Sequence, residues 1–240
     1  MTTPTRLFSR ILSLAIQGKL VSNHADDTVD DLLKEIAANN SARKKSKSDP
    51  IPDDQIPFAI PDNWKWVRLG EVCEKLYAGG DAPKDNFSKE RTEKYLYPIY
   101  ANAVANGGLY GYTDSYVEDK KCITIAARGS GTGFTMIREE PFTPIVRLIV
   151  ICPDEAKVDI HFLKYYLNYN GFIKSGTNIP QLTIPMVENA KIVIPSLNEQ
   201  KIISSKIIEL ENKILELENT LLDLNKQKAI ILGEIVQIGK

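Results

Sequence analysis

Apolar positions along the last quarter of the chain recur every three or four residues: Ile207, Leu210, Ile214, Leu217, Leu221 and Leu224, then Lys228, Ile231, Ile235 and Ile238. Only Lys228 interrupts the stripe, and neither glycine nor proline occurs between Leu197 and Ala229. Apolar residues spaced this way keep one seam turned toward a neighbouring helix, so the pattern predicts a long helix over 199 to 238 that lies along a partner. At about 1.5 Å of rise per residue the rod reaches roughly 60 Å, more than one small globule covers. An amphipathic helix laid on its own globule is the competing account of the same stripe.

Upstream, residues 5 to 20 place Leu7, Ile11, Leu14 and Ala15 on one helical face, with Gly18 as the stop signal. A second short helix is expected over 28 to 38, where Leu32, Leu33 and Ile36 follow the potential caps Asp26 and Asp27. Between Asn39 and Asn63 the pattern lapses: four prolines and few apolar residues read as a linker that buries too little surface to order itself. Its basic run Arg43, Lys44, Lys45 and Lys47 suits either phosphate or solvent. From Trp64 to Pro195 the pattern turns mostly to strands: WKWVRLGEVCEKL, YLYPIYA, CITIAAR, GFTMIRE and PIVRLIVICP, each bounded by turn residues. One helix interrupts them at 159 to 169, capped by Asp159 and followed by Gly171. The fold class read from this is α+β: a mixed β-rich domain, a short N-terminal helical segment and a long C-terminal helix.

Composition adds constraints more than content. With 43% hydrophobic and 25% charged residues and a formal charge of -1, the 240-residue chain has an ordinary globular composition without a strongly basic signature. No apolar run is long enough to span a bilayer and the N-terminus lacks a secretory pattern, so a cytoplasmic location is expected. Cys73, Cys122 and Cys152 are far apart in sequence and only His24 and His161 accompany them, so three buried thiols are expected, with neither a disulfide framework nor a metal site.

Catalytic patterns are weak. The glycine-rich RGSGTG at 128 to 133 lacks the Lys-Ser/Thr of a P-loop and leads into a strand, so a tight loop approaching another backbone fits better than nucleotide binding. Asp119 with Lys121, and Asp154 and Glu155 with Lys157, are crowded acid and base groups without a suitably spaced partner carboxylate for metal-dependent hydrolysis. His161 sits beside Phe162 and near Tyr165 on the expected helix and reads as structural. Polar and basic loops remain. Lys84, Lys89, Arg91 and Lys94 lie in 77 to 95, YANAVANGGLYGYTDSY forms a second loop region, and SGTNIPQLT at 175 to 183 a third. Lysine and arginine neutralise phosphates, while Arg, Asn and Gln hydrogen-bond base edges in the major groove; ordinary solvated loops have the same composition.

Assembled, these segments resemble the specificity subunits of Type I restriction-modification enzymes over nearly the whole chain. ILSLAIQGKLV with DDLLKEI resembles the family's conserved helical segment, and IPDNWKWVRLGEV the opening of a target recognition domain. YPIYANAVANGGLYGYT and ITIAARGSGTGFTMI resemble that domain's central β-region. LKYYLNY, followed by GTNIPQLTIPMVENAKIVIPSLNEQKII, resembles its close and the start of the spacer helix. The resemblance implies a helical segment at 1–40, a linker at 41–62, a target recognition domain at 63–196 and a spacer and dimerisation helix at 197–240. Family members carry two recognition domains and two helical regions, so one of each implies a half-subunit that pairs with a second copy to read two inverted half-sites. It further implies a non-catalytic chain on double-stranded DNA. Methyltransferase (modification) subunits would supply S-adenosylmethionine chemistry, a restriction subunit would use ATP and Mg, and no cofactor or metal would be bound by this chain. No Asn/Asp-Pro-Pro-Tyr/Phe methyltransferase motif occurs here. Expected at the DNA face are Lys84, Lys89, Arg91, Arg128, Ser130, Thr132, Thr177, Asn178 and Gln181, the basic residues on phosphates and Asn178, Gln181 or Arg91 on bases. Expected at the pairing seam are Ile207, Leu210, Ile214, Leu217, Leu221, Leu224, Ile231 and Ile235. The rival readings are a coiled-coil module whose β-domain binds a protein, and a nuclease.

Overall fold

The computed structural model describes residues 3–22, 29, 32–35, 38, 50–170 and 181–238, and the side chains of all but 3–5, Asn170 and 233–238. The elements follow in the order α1 (Thr3–Ile16), β1 (Lys65–Arg68), β2 (Cys73–Ala78), β3 (Phe87–Ser88), β4 (Tyr97–Tyr100), β5 (Leu109–Thr113), β6 (Cys122–Ile125), β7 (Thr135–Arg138), β8 (Thr143–Pro144), β9 (Ile149–Pro153), α2 (Ile160–Asn170), α3 (Ile184–Glu188), β10 (Lys191–Ile194) and α4 (Leu197–Ile238). This is an α+β arrangement, with a long C-terminal helix.

A sheet in the order β2-β9-β6-β7 divides the interior. Along β6 and β9 successive side chains point to opposite faces, as a pleated strand requires. Ile123, Ile125, Ile149 and Ile151 join the large core that includes Ile11, Leu163 and Ile203 of the helices. Cys122, Val150 and Cys152 turn the other way, onto Phe142, Tyr77 and Tyr100, toward the second sheet β3-β5-β4-β8. Every position of β6 and β9 is buried because both faces are covered, which is why CITI and IVICP are continuous apolar runs and not alternating ones.

Two expected strands are broken. WKWVRLGEVCEKL divides at a 3-10 turn, Leu69–Glu71, so that β1 pairs with β10 and β2 with β9. PIVRLIVICP divides where Val146 and Arg147 take positive φ values of 42° and 64°. The register Ile123↔Ile151 between β6 and β9 puts Cys122 opposite Cys152, with Cα atoms 4.5 Å apart, and the two form a disulfide. That spacing belongs to a non-hydrogen-bonded antiparallel pair, which brings side chains closest. The expectation of three buried thiols is therefore corrected for two of them; Cys73 keeps its thiol, buried and donating to Leu69 O at 3.0 Å.

The helices pack as a cluster against the large core. The buried face of α1 is Ile11, Leu12, Ala15 and Ile16, while Leu7, expected to face inward, is 50% exposed. Gly18, at φ +68°, ends α1: its N–H donates to Ala15 O at 3.1 Å and that of Lys19 to Leu14 O at 2.8 Å. Asp159 caps α2, its carboxylate accepting from the Phe162 N–H at 2.8 Å. Part of the expected linker is ordered: Phe58 stacks edge-on against Trp66 with ring centroids 4.9 Å apart, and Ile60 joins the same core. The caps Asp26 and Asp27 and the basic run at 43 to 47 lie outside the described residues.

The long helix has two halves of different character. Ser196 opens α4, its hydroxyl accepting from the Glu199 N–H at 3.2 Å. Gln200, fully buried, accepts from Asp159 N–H at 2.8 Å and donates to Lys157 O and Pro195 O, both at 3.0 Å. The Tyr165 hydroxyl on α2 donates to the Glu211 carboxylate at 2.5 Å. Ile203 and Ile207 are buried, and Leu210 and Ile214 pack partly on the same core. Of the residues expected at the pairing seam, Ile207 is thus buried in this chain's own core and Leu210 and Ile214 are half-buried against it, in the part of α4 that packs on α1 and α2. Beyond them Leu217, Leu221, Leu224 and Ile231 are 68, 58, 56 and 55% exposed, with Leu215, Leu222, Ile230 and Leu232 also uncovered. Among the described residues no helix is long and apolar enough to cross a membrane.

Candidate functional site

Three segments far apart in sequence meet at one end of the β6–β7 hairpin. The turn at 126 to 134 is closed by Ala126 N–H to Phe134 O at 2.9 Å and Gly133 N–H to Ala126 O at 2.8 Å. Gly129 and Gly133 adopt φ values of +77° and +90°, a left-handed backbone that disfavours side chains. A Cβ on Gly131 would lie 2.2 Å from Cγ2 of Val104, so the glycine-rich turn is a close approach to the 101 to 108 loop. The neighbour is a side chain, where the sequence suggested a backbone, and a strand follows the turn.

Asn102 ties the two loops together. Its Oδ1 accepts from the N–H groups of Ala127 and Arg128, the latter at 3.1 Å, and its Nδ2 donates to Arg128 O at 2.9 Å. The third segment arrives through Leu182, whose N–H donates to Ala127 O at 2.8 Å, and through a bridge between Arg128 and Gln181. Above this frame the exposed Arg128 guanidinium donates to Gln181 Oε1 at 2.9 Å. Beneath it Arg138, almost fully buried, stacks 3.5 Å over the Tyr100 ring, donates to Thr124 Oγ1 at 3.0 Å and reaches Gly107 O at 2.5 Å. Burial pushes its pKa down from the usual arginine value. A buried charge with two hydrogen bonds and an aromatic face fixes the loop above it, because leaving any of them unmade is costly.

Of the residues expected at a nucleic-acid face, Arg128, Ser130, Thr132 and Gln181 are brought together here. Ser130 is exposed at the hairpin tip; the Thr132 hydroxyl bonds its own turn, donating to Gly129 O at 2.7 Å. Lys84, Lys89 and Arg91 belong to the stretch around β3. Lys84 is exposed. Lys89 donates to Tyr110 O at 3.0 Å and sits 3.7 Å over the Tyr110 ring, and Arg91 pairs with Glu140 at 3.6 Å on the surface. Thr177 and Asn178 lie outside the described residues, as does the Ile235 side chain. Asn102 and Arg138 were not singled out in the sequence. Nothing local marks them, since their partners are 14 or more residues away.

Of the acid and base groups weighed for hydrolysis, Asp154, Lys157 and Lys121 are engaged in structural pairs. Asp154 pairs with the buried Lys157, and Lys121 with Glu139 at 2.7 Å. Glu118 is buried, accepting from Lys75 at 3.0 Å and from the Tyr77 hydroxyl at 3.2 Å. Burial first, and then the Glu118 charge, drive the Tyr77 pKa upward. Glu118, Cys122 and Cys152 are the described residues whose donor atoms cluster closely enough to hold a metal ion, all within 4.8 Å. Both sulfurs are consumed in the disulfide and the carboxylate faces an ammonium, a poor donor set for a cation.

Residues 61–226 match the model of the Type I restriction modification DNA specificity domain. Two Mycoplasma pneumoniae proteins described as type I specificity subunits are similar to this chain. One is 37% identical over 147 residues, covering 60% of this chain and 43% of the relative; the other is 32% identical over 146 residues, covering 61% and 39%. The crystal structure of the HsdS subunit from Thermoanaerobacter tengcongensis superposes with a TM-score of 0.56 at 17% identity, over 90% of this chain and 53% of that one. The chain thus spans about two fifths of those relatives and about half of that solved subunit. A family match over more than half of the sequence, together with the shared fold, establishes that this chain belongs to the family of Type I restriction modification DNA specificity domains.

Proposed function

We propose that this chain is a sequence-specific DNA-recognition subunit of a Type I restriction-modification system, without catalysis of its own. The observation that carries this reading is the convergence of Arg128, Ser130 and Gln181 on a braced, solvent-facing rim in a chain of the specificity-domain family. Lys84, Lys89 and Arg91 supply positive charge for the phosphate backbone, and Thr177 and Asn178 belong to the same recognition segment as Gln181. In this reading the target recognition domain runs over 63–196, between an N-terminal helical segment at 1–40 with its linker at 41–62 and the spacer helix at 197–240.

The exposed apolar residues of the outer half of α4, Leu217, Leu221, Leu224 and Ile231, continued by Ile235, support pairing with a second copy. Two copies related by a twofold axis would read a bipartite palindromic site, with a spacer set by the helices. Methyltransferase subunits using S-adenosylmethionine, and a restriction subunit using ATP and Mg, would dock beside it in the cytoplasm and act on the DNA that it selects.

Duplex binding across a salt series tests the reading. Affinity of the chain with its modification subunits is expected to fall steeply between about 50 and 200 mM salt, since each neutralised phosphate releases counterions. Absence of binding at any salt would overturn the proposal in favour of a protein-binding module.

A further inference from the structure

The geometry points to Arg128 as a guanine-reading residue, with Gln181 and Asn102 as its positioning residues; this rests on the DNA-recognition reading above. An arginine that merely holds phosphate needs charge and reach, and a flexible exposed side chain suffices. An arginine that reads guanine must present two parallel N–H donors to O6 and N7, so its plane has to be held before the DNA arrives.

Arg128 is held in this manner. Gln181 Oε1 takes one N–H of a terminal guanidinium nitrogen at 2.9 Å, and this is the partner the guanidinium has among the described residues. Of its five donors four remain, including one complete two-donor edge of the fork. The Gln181 oxygen faces Arg128, so its amide nitrogen is left as a donor, which discourages an adjacent adenine N6 group and suits an acceptor such as a second guanine or a thymine O4.

The backbone beneath is fixed as well. Asn102 uses both ends of its amide on residues 127 and 128, accepting two N–H groups and donating to Arg128 O at 2.9 Å. Leu182 N–H binds Ala127 O at 2.8 Å from the other side. Residue 128 is therefore clamped between two strands of chain, on a hairpin whose glycine at 131 leaves room only for the Val104 side chain. Such bracing lowers the entropic cost of a directional contact and does little for a diffuse charge contact. The sequence alone placed Arg128 among phosphate contacts; its surroundings assign it to a base.

Selection from a random-sequence duplex pool tests the assignment, using the full chain with its modification subunits and the variants Arg128→Lys, Gln181→Leu and Asn102→Ala. Wild type is expected to enrich a motif with an invariant guanine in each half-site. Arg128→Lys keeps the charge and should flatten that guanine alone, costing the selected duplex about tenfold to a hundredfold in affinity, as expected for one bidentate pair. Gln181→Leu should weaken the same guanine and the neighbouring position that its amide nitrogen faces, and Asn102→Ala the guanine, while the remaining positions of the motif stay as in wild type, which a general structural defect would not do. Replacement of the guanine by 7-deazaguanine should cost wild type severalfold and Arg128→Lys little. An Arg128→Lys variant with an unchanged motif would overturn the assignment while leaving DNA recognition intact. A wild type that enriches nothing would remove both.

Discussion

Gln200 illustrates how much a single buried polar side chain decides here. Its amide joins the chain before α2, the end of β10 and the first turn of α4 through three hydrogen bonds. Gln200→Ala leaves one N–H and two carbonyls unpaired in the interior, and is expected to cost about 2–4 kcal/mol, since each orphaned buried group carries a penalty of about 1–3 kcal/mol. Urea unfolding should show this as a lower midpoint at unchanged slope. The sequence offers only PSLNEQ here, legible as a helix start through Ser196 and Glu199 but silent about Gln200, whose partners on Lys157 and Asp159 are set by tertiary contacts. The same limit applies to Asn102 and to the Cys122–Cys152 pair, separated by 30 residues: register and loop approach decide them, and neither is periodic.

Where burial repeats, elements are more legible. The apolar runs of β6 and β9 and the Asp159-capped α2 read directly from the sequence. The short β3, β5 and β10 did not, because strands of two to five residues carry too few positions to show a period. For α4 the stripe was legible but its partner was not. Along one stripe the surroundings change, with Ile207 buried, Leu210 and Ile214 half-buried on the chain's own core, and the leucines beyond them uncovered. Surface pairs support the helix near the change: Glu209 bonds Lys206 at 2.8 Å and Lys213 at 2.5 Å, and these bonds hold its carboxyl down at about 2. If the uncovered leucines pair between copies, sedimentation should give twice the 26.9 kDa of one chain at micromolar concentration. Leu217→Lys with Leu224→Lys should return the monomer mass with the globule's near-ultraviolet circular dichroism unchanged. A wild-type monomer would count against pairing through α4.

As a molecule, the chain holds a braced rim and a long helix on one core, which under the proposed function are a recognition surface and a ruler. The sheet β2-β9-β6-β7 carries the rim of Arg128 and Gln181 at the end of its hairpin, and the same core anchors the first half of a 42-residue helix. Rim and rod are thereby fixed to one body, so that two copies joined along their rods would hold two rims at a set separation. The central claim, recognition of paired half-sites, is tested most directly by the sequences that the wild-type complex enriches from random duplexes. The account predicts an inverted repeat of one short motif, separated by a gap of constant length. Enrichment of a single unrepeated motif, or of repeats at variable spacing, would contradict it.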